Sequence, residues 1–287
     1  MSLYTGLDAE ALEANYYLLA RIGPRYPAMV ERMATRSAAH REAMGAMVDV
    51  SYGEGERDKL DFFPGVDVNG PLLDFIPGGY WQRGDKSVYS YMTESFVKHG
   101  VSVAVLNYNL TPTVRMGEIP PQIRKAVAWL WHHADDVGFA RDRLTVSGHS
   151  AGGHLTALMM ATDWPSVDAA LPADMIHAGL PISGLFELEP LVHTSVNAGP
   201  QMSIEEAISE SPTFIPPLTN APQLVVVGGA ETDEFLRQSD DYSAKFETPQ
   251  RSMERYNVPG ADHFGALEAF ADDQSVFFEK SMRLVAN

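Results

Sequence analysis

Cysteine is absent from this chain of 287 residues, which removes disulfides, zinc–thiolate sites and cysteine nucleophiles together and leaves the redox compartment undetermined. Long apolar runs are missing as well. No stretch reaches the ~18 residues a membrane helix requires, and the start, "MSLYTGLDAEALEANYY", has no basic region followed by an apolar one. The expected compartment is therefore the cytoplasm. Positive charge is scarce: 21 Lys+Arg against 38 Asp+Glu give a formal charge of −17. Phosphate binding needs a clustered positive field, so nucleic acid and anionic membranes are poor partners. The acidic residues are dispersed and read as a solvated surface. There is no internal repeat and no low-complexity tract.

What is present is an ordinary globular composition, 45% hydrophobic and 21% charged, with enough apolar material for one sizeable core. Residues 8 to 45 read as two helices, the first opened by Asp8 as N-cap and the second following the Gly23-Pro24 break. From Met47 short β-like runs follow, "MVDVSYG", "KLDFFPG" and "PLLDFIPGG", which look like the antiparallel start of a sheet. Strands then alternate with helices: "VSVAVLNYN", "DRLTVSG", "MIHAGLPIS", "PQLVVVGGA" and "SMERYNV", closed by the helical "FGALEAFADDQSVFFEKSMRLV". Such alternation predicts an α/β fold, a mostly parallel sheet with helices on both faces. The expected organisation is a single domain over 1–287, with 1–45 as an N-terminal helical segment. The irregular, proline-rich stretch 184–220 is a candidate lid insertion together with the N-terminal helices, to be weighed against a surface excursion without a role. The C-terminal helical stretch is a candidate homodimer face.

The chemistry centres on "LTVSGHSAGGHLTALMM", residues 144–160, where a β-like run turns through glycines around Ser150 and enters a helix. A G-x-S-x-G match alone is weak, but a strand–turn–helix context is that of a nucleophile elbow, which exposes the serine Oγ above the sheet. A serine hydroxyl needs a base. Of nine histidines, His263 in "NVPGADHFGALEAF" sits on a loop after the last strand, where it can reach the carboxyl edge of the sheet. His40, His99, His132 and His133 lie in helical contexts and read as solvated or packing residues. His177 and His193 show no clear role. His149 and His154 flank the serine and read as structural, since no carboxylate cluster accompanies them to make a metal site.

The acid that orients the base is expected after "QLVVVGGA", where Glu231 and Asp233 both qualify. Acyl transfer also needs amides aimed at the developing oxyanion. One should come from Ala151 and others from "FIPGGYWQRG", whose Gly78-Gly79 pair is otherwise an ordinary turn. Tyr80 and Trp81 are candidate substrate-binding residues, Trp81 equally a packing residue.

These motifs resemble the α/β-hydrolase fold and, within it, the kynurenine formamidase and hormone-sensitive-lipase-like carboxylesterase branch. "GHSAGGHL" is similar to that branch's elbow, "PGGYWQRGDK" to its oxyanion loop, "GGAETDEFLRQS" to its acid loop, "GADHF" to its histidine loop and "YTGLDAEALEANY" to the N-terminal segment of formamidase-like members. The resemblance implies Ser150 as nucleophile, His263 as base, Glu231 rather than Asp233 as acid, and the amides of Gly79, Tyr80 and Ala151 as oxyanion hole. One departure is Pro77, which stands where the branch has a histidine that braces the loop. The implied activity is serine hydrolysis of a small aromatic ester or formamide, without metal or organic cofactor. Rival expectations are a general carboxylesterase without formamidase activity and a catalytically silent binding protein on the same fold.

Overall fold

The computed structural model describes residues 6–286. Met1–Thr5, which begin both the expected N-terminal segment and the "YTGLDAEALEANY" resemblance, and Asn287 lie outside the described residues. Eight strands form one sheet: β1 Met47–Ser51, β2 Lys59–Phe63, β3 Leu72–Ile76, β4 Ser102–Leu106, β5 Leu144–His149, β6 Ala178–Ile182, β7 Gln223–Gly228 and β8 Met253–Val258. Their order across the sheet is β1-β2-β4-β3-β5-β6-β7-β8. β2 runs antiparallel to both its neighbours, and every pair from β4 onward is parallel.

The antiparallel start therefore ends one strand earlier than expected, because β3 crosses over and inserts parallel between β4 and β5. The pattern of β3 already fits that position. All five residues of "LLDFI" are buried, as a strand covered on both faces requires. Leu72 and Ile76 join the core on one face of the sheet, Leu73 and Phe75 that on the other, which follows from the two-residue period of a strand.

Before the sheet come α1 (Ala9–Tyr16), α2 (Leu18–Ile22) and α3 (Arg25–Ala43). Asp8 caps α1, accepting from the Ala11 amide at 2.9 Å. The single helix expected over "DAEALEANYYLLARI" breaks at Tyr17, whose ψ of 70° is not helical. The remaining main helices are α4 (Thr93–Lys98), α5 (Ile119–His132), α6 (Ala151–Met160), α7 (Asp233–Phe246), α8 (His263–Ala271) and α9 (Val276–Ala286). The last two were expected as one helix, and "DDQS" interrupts them. One face of the sheet packs against Ile123 and Val127 of α5 and Leu155 and Met159 of α6. The other packs against Phe96 of α4, Phe270 of α8 and Phe277 of α9, each buried ring contributing about 1.5–3 kcal/mol.

Residues 184–220 fold down rather than loop out. Leu185, Phe186, Leu188 and Leu191 are fully buried, Phe186 stacks on Tyr242 of α7 with centroids 4.2 Å apart, and Gln238 accepts from the Phe186 and Glu187 amides at 2.7 and 2.9 Å. α1 docks on the same helix: Tyr16 Oη donates to Glu234 and accepts from Gln238, both at 2.7 Å. Among the described residues no helix is long and apolar enough to cross a membrane.

Candidate active site

Ser150 occupies the turn between β5 and α6 with φ 58° and ψ −118°, a left-handed conformation that costs energy for any residue but glycine. Its neighbours hold it there. The Ser150 amide donates to the Ile182 carbonyl at 2.8 Å, and the Ser150 carbonyl accepts from the His154 amide at 3.1 Å. The flanking glycines are required by close approach: a Cβ at Gly152 would lie 1.9 Å from the Ile76 carbonyl oxygen, and one at Gly148 would lie 2.4 Å from that of Gly152. Only without those side chains can α6 leave the sheet directly over β3 and lift the serine above its edge.

The loop after β3 runs beside this turn, so close that a Cβ at Gly78 would meet Ser150 Cβ at 3.0 Å. Tyr80 and Trp81 both have positive φ, 51° and 57°, a strained bend fixed from several sides. The Gly79 carbonyl accepts from the Gln82 and Arg83 amides at 3.1 and 3.2 Å, and that of Trp81 from the Thr111 amide at 2.8 Å. Buried Tyr108 donates to the Pro77 carbonyl at 2.8 Å, which supplies the brace at the position where the resemblance expects histidine. Among the described residues no acceptor is paired with the amides of Gly79, Tyr80 or Ala151. Three donors are thus left free beside the serine, as an oxyanion site requires.

His263 opens α8, where its N-cap Asp262 accepts from the Gly265 amide at 2.8 Å. Its Nδ1 lies 2.6 Å from Glu231 Oε2. Of the two acids left open by the sequence, Glu231 is the one in contact with the histidine; Asp233 is exposed at the start of α7. Oε1 of Glu231 accepts from Ser183 Oγ at 2.5 Å and from the Gly228 amide at 2.8 Å. Burial pushes the Glu231 carboxyl up, but His263 and these hydrogen bonds together outweigh it and hold it below the usual carboxylate range. An anionic carboxylate only accepts, so a proton of the imidazole sits on Nδ1, and in the neutral ring the lone pair is that of Nε2.

The two histidines read as structural behave so. Burial above all, with the neighbouring His263 as a smaller cause, lowers His149 to about 3, so it is neutral and its Nε2 donates to the His263 carbonyl at 2.8 Å. Burial lowers His154 to about 4, and its Nε2 donates to the Glu210 carbonyl at 2.7 Å.

Ser150, His149 and His263 open into a cavity of about 330 Å³. Its floor is the sheet edge and the Gly79–Asp85 loop, and its roof is formed by Leu18, Leu19, Ile22, Tyr26, Val30 and Met33 of α2 and α3. No residue of 184–220 lines it. Trp81 is a correction: it is 0% exposed, lies edge-on to His154 with centroids 5.1 Å apart, and anchors the loop rather than facing the cavity. Tyr80 does line the cavity, and its Oη donates to the Tyr16 carbonyl at 2.5 Å. Sequence reasoning missed Ser183, although a Ser-Gly pair directly after a strand at the carboxyl edge of the sheet was a visible signal. It also missed Arg83, a charged residue in a loop otherwise read for its glycines.

The chain is similar to known proteins along most of its length. Residues 63–174 match the BD-FAE family model. A kynurenine formamidase of Salmo salar is 31% identical over 236 residues, covering 79% of this chain and 77% of that protein. The chain belongs to the kynurenine formamidase family. The formamidase of Danio rerio is 28% identical over 99% of both chains. A crystal structure from Silicibacter sp. tm1040, provisionally named a thioesterase, superposes with a TM-score of 0.82 at 32% identity and covers 93% of this chain and 97% of its own. Membership in this family makes the protein an α/β-hydrolase and a serine hydrolase acting on small esters or formamides.

Proposed function

We propose that the protein deformylates a small aryl formamide of the N-formylkynurenine type, with Ser150 as nucleophile, His263 as base, Glu231 as the orienting acid, and the amides of Gly79, Tyr80 and Ala151 as the oxyanion hole. The observation that carries this reading is the 2.6 Å contact of His263 Nδ1 with Glu231, in an imidazole that shares one cavity with Ser150 and the free loop amides.

Ser150 Oγ bonds to the formyl carbon as its proton passes to His263 Nε2, and the carbonyl oxygen takes the negative charge among the three amides. Collapse breaks the C–N bond, the aryl amine leaves with the proton from His263, and a formyl ester remains on Ser150. Water, deprotonated by His263, attacks that ester and releases formate and the free serine. Glu231 stays ionised and stabilises the imidazolium in both halves. Tyr80 and Tyr26 supply aromatic surface for the aryl group, and α2 with α3 act as the lid. The apolar roof favours carboxylesterase activity as the second reading, since Leu18, Ile22 and Met33 suit any small ester.

In the same reading the chain is one catalytic domain, the cytoplasm is its compartment and a homodimer is a candidate assembly; the charge of −17 speaks against nucleic acid and anionic membranes as partners. The deciding experiment is hydrolysis of N-formylkynurenine beside p-nitrophenyl acetate by the wild type and Ser150→Ala. Serine-dependent deformylation is expected to dominate, with a loss of about a thousandfold or more in the variant. Ester cleavage alone supports the second reading, and retained activity in Ser150→Ala overturns the choice of nucleophile.

A further inference from the structure

The catalytic cavity holds a cation that the mechanism does not use. Arg83 lines it at the rim, one turn of loop after the free amides of Gly79 and Tyr80. The stem of its side chain lies against Gly79, where an added Cβ would meet Arg83 Cγ at 2.8 Å. Among the described residues its guanidinium makes no hydrogen bond or ion pair, on a chain whose acids outnumber its bases 38 to 21.

The carboxylates around it are already engaged. Asp85, in the same cavity, accepts from the Ser87 amide at 3.0 Å and from Asn107 at 2.8 Å, and pairs with Arg57 at 3.4 Å. Glu231 is held by His263, Ser183 and Gly228. A smaller cavity of about 140 Å³ adjoins the first and shares His263 with it, and there Arg21 and Arg25 are also without a carboxylate partner among the described residues. The entrance thus carries three arginines without a carboxylate partner among the described residues, beside Asp85, Glu231 and Asp262, whose oxygens already accept from groups of the chain, so that guanidinium donors are left for a ligand.

We propose that Arg83 is a specificity-determining residue that binds a carboxylate on the leaving-group side of the substrate. This rests on the hydrolase reading above and deepens it. A guanidinium grips a carboxylate through two parallel hydrogen bonds, and this one is rooted on an oxyanion-loop glycine. The grip therefore fixes the distance between the charged end of the substrate and the carbonyl under attack. Arg21 and Arg25 stand beside it without making the contact.

The test uses two pairs that differ only in charge: 3-formamidobenzoate against 3-formamidobenzamide, and 3-acetoxybenzoate against 3-acetoxybenzamide. For the wild type, kcat/KM is expected to favour the acid of a pair by about tenfold, the difference residing in KM, and to lose part of that preference as ionic strength rises. Arg83→Gln brings the ratio to within about twofold, and Arg83→Lys, which keeps the charge but not the fork, gives an intermediate value. A ratio near one in the wild type overturns the proposal. So does a ratio that survives Arg83→Gln but falls in Arg21→Gln or Arg25→Gln, because the anion is then read at the smaller cavity. Cleavage of the esters without the formamides refutes the formamidase reading alone, and the charge ratio of the ester pair still decides the role of Arg83. Failure to cleave any of the four overturns both.

Discussion

Replacing the Glu231 carboxylate by an amide, Glu231→Gln, tests the site at its most constrained point. The substitution is nearly isosteric, so its effect lies in which end of the new amide faces which neighbour. Oε1 accepts from the Gly228 backbone amide at 2.8 Å, a donor that cannot reverse. Turning the new NH2 group toward it would set two buried donors face to face, at a cost of about 1–3 kcal/mol. The carbonyl of the introduced amide therefore keeps the Oε1 place, and its NH2 points at His263 Nδ1 in place of an acceptor at 2.6 Å. Nδ1 must then accept, the proton moves to Nε2, and the nitrogen that should take the serine proton is already protonated. Wrong-tautomer losses of this kind are about ten-thousandfold in kcat, or ~5.4 kcal/mol at ~1.36 kcal/mol per decade. The assay is kcat on p-nitrophenyl acetate at neutral pH, with thermal unfolding as the check that the fold is intact. Asp233→Asn, which changes an exposed helix start, is the control and should leave kcat within about twofold. A loss of less than about tenfold in a folded Glu231→Gln variant, or a larger loss in Asp233→Asn, would refute the reasoning.

Two further outcomes follow from the geometry. Gly152→Ala places a methyl 1.9 Å from the Ile76 carbonyl and must push α6 off β3, which lowers stability by about 1–3 kcal/mol in urea unfolding and reduces kcat by shifting the Ala151 amide; an unchanged midpoint and rate would contradict the close approach. Stability should also fall with acid. Burial lowers His149 to about 3 and His154 to about 4, so below about pH 6.5 the unfolded chain takes up protons on these rings that the folded chain refuses. The stability is complete above that pH and declines toward pH 4, by about 2 kcal/mol per histidine between pH 7 and 5. Urea unfolding at the two pH values measures the drop, His154→Gln should remove roughly half of it, and equal stability at both would show the rings to be less buried than described.

The sheet, the turn at Ser150, the histidine loop and the glycine loop beside it were legible because each is a local pattern: a strand of known period, a turn marked by glycines, a histidine between a strand and a helix. The choice between Glu231 and Asp233 was not local, since it depends on which carboxylate lies over α8, a relation across the sheet edge. The roof was legible in part: the N-terminal helices, expected over the pocket, do line it, and residues 184–220, expected beside them, do not. Residues 184–220 lack periodicity and so look like a loop, yet Phe186 and Leu191 pack as core, whereas the regular helices α2 and α3 cover the cavity. Trp81 shows the limit of reading composition, because an aromatic residue next to an active loop is as suited to anchoring it as to meeting substrate.

The roof over the cavity comes from residues 18–33, while the groups proposed to react come from turns after β3, β5, β7 and β8. The apolar cover and the turns around Ser150 and His263 are therefore written in separate stretches of the chain, joined mechanically where Tyr16 clasps α7 at 2.7 Å. Exchanging α2 re-tailors the chamber directly, whereas α3 is tied to the sheet, its His40 stacked on Phe63 of β2 with centroids 5.3 Å apart and its Arg41 3.5 Å from Asp61.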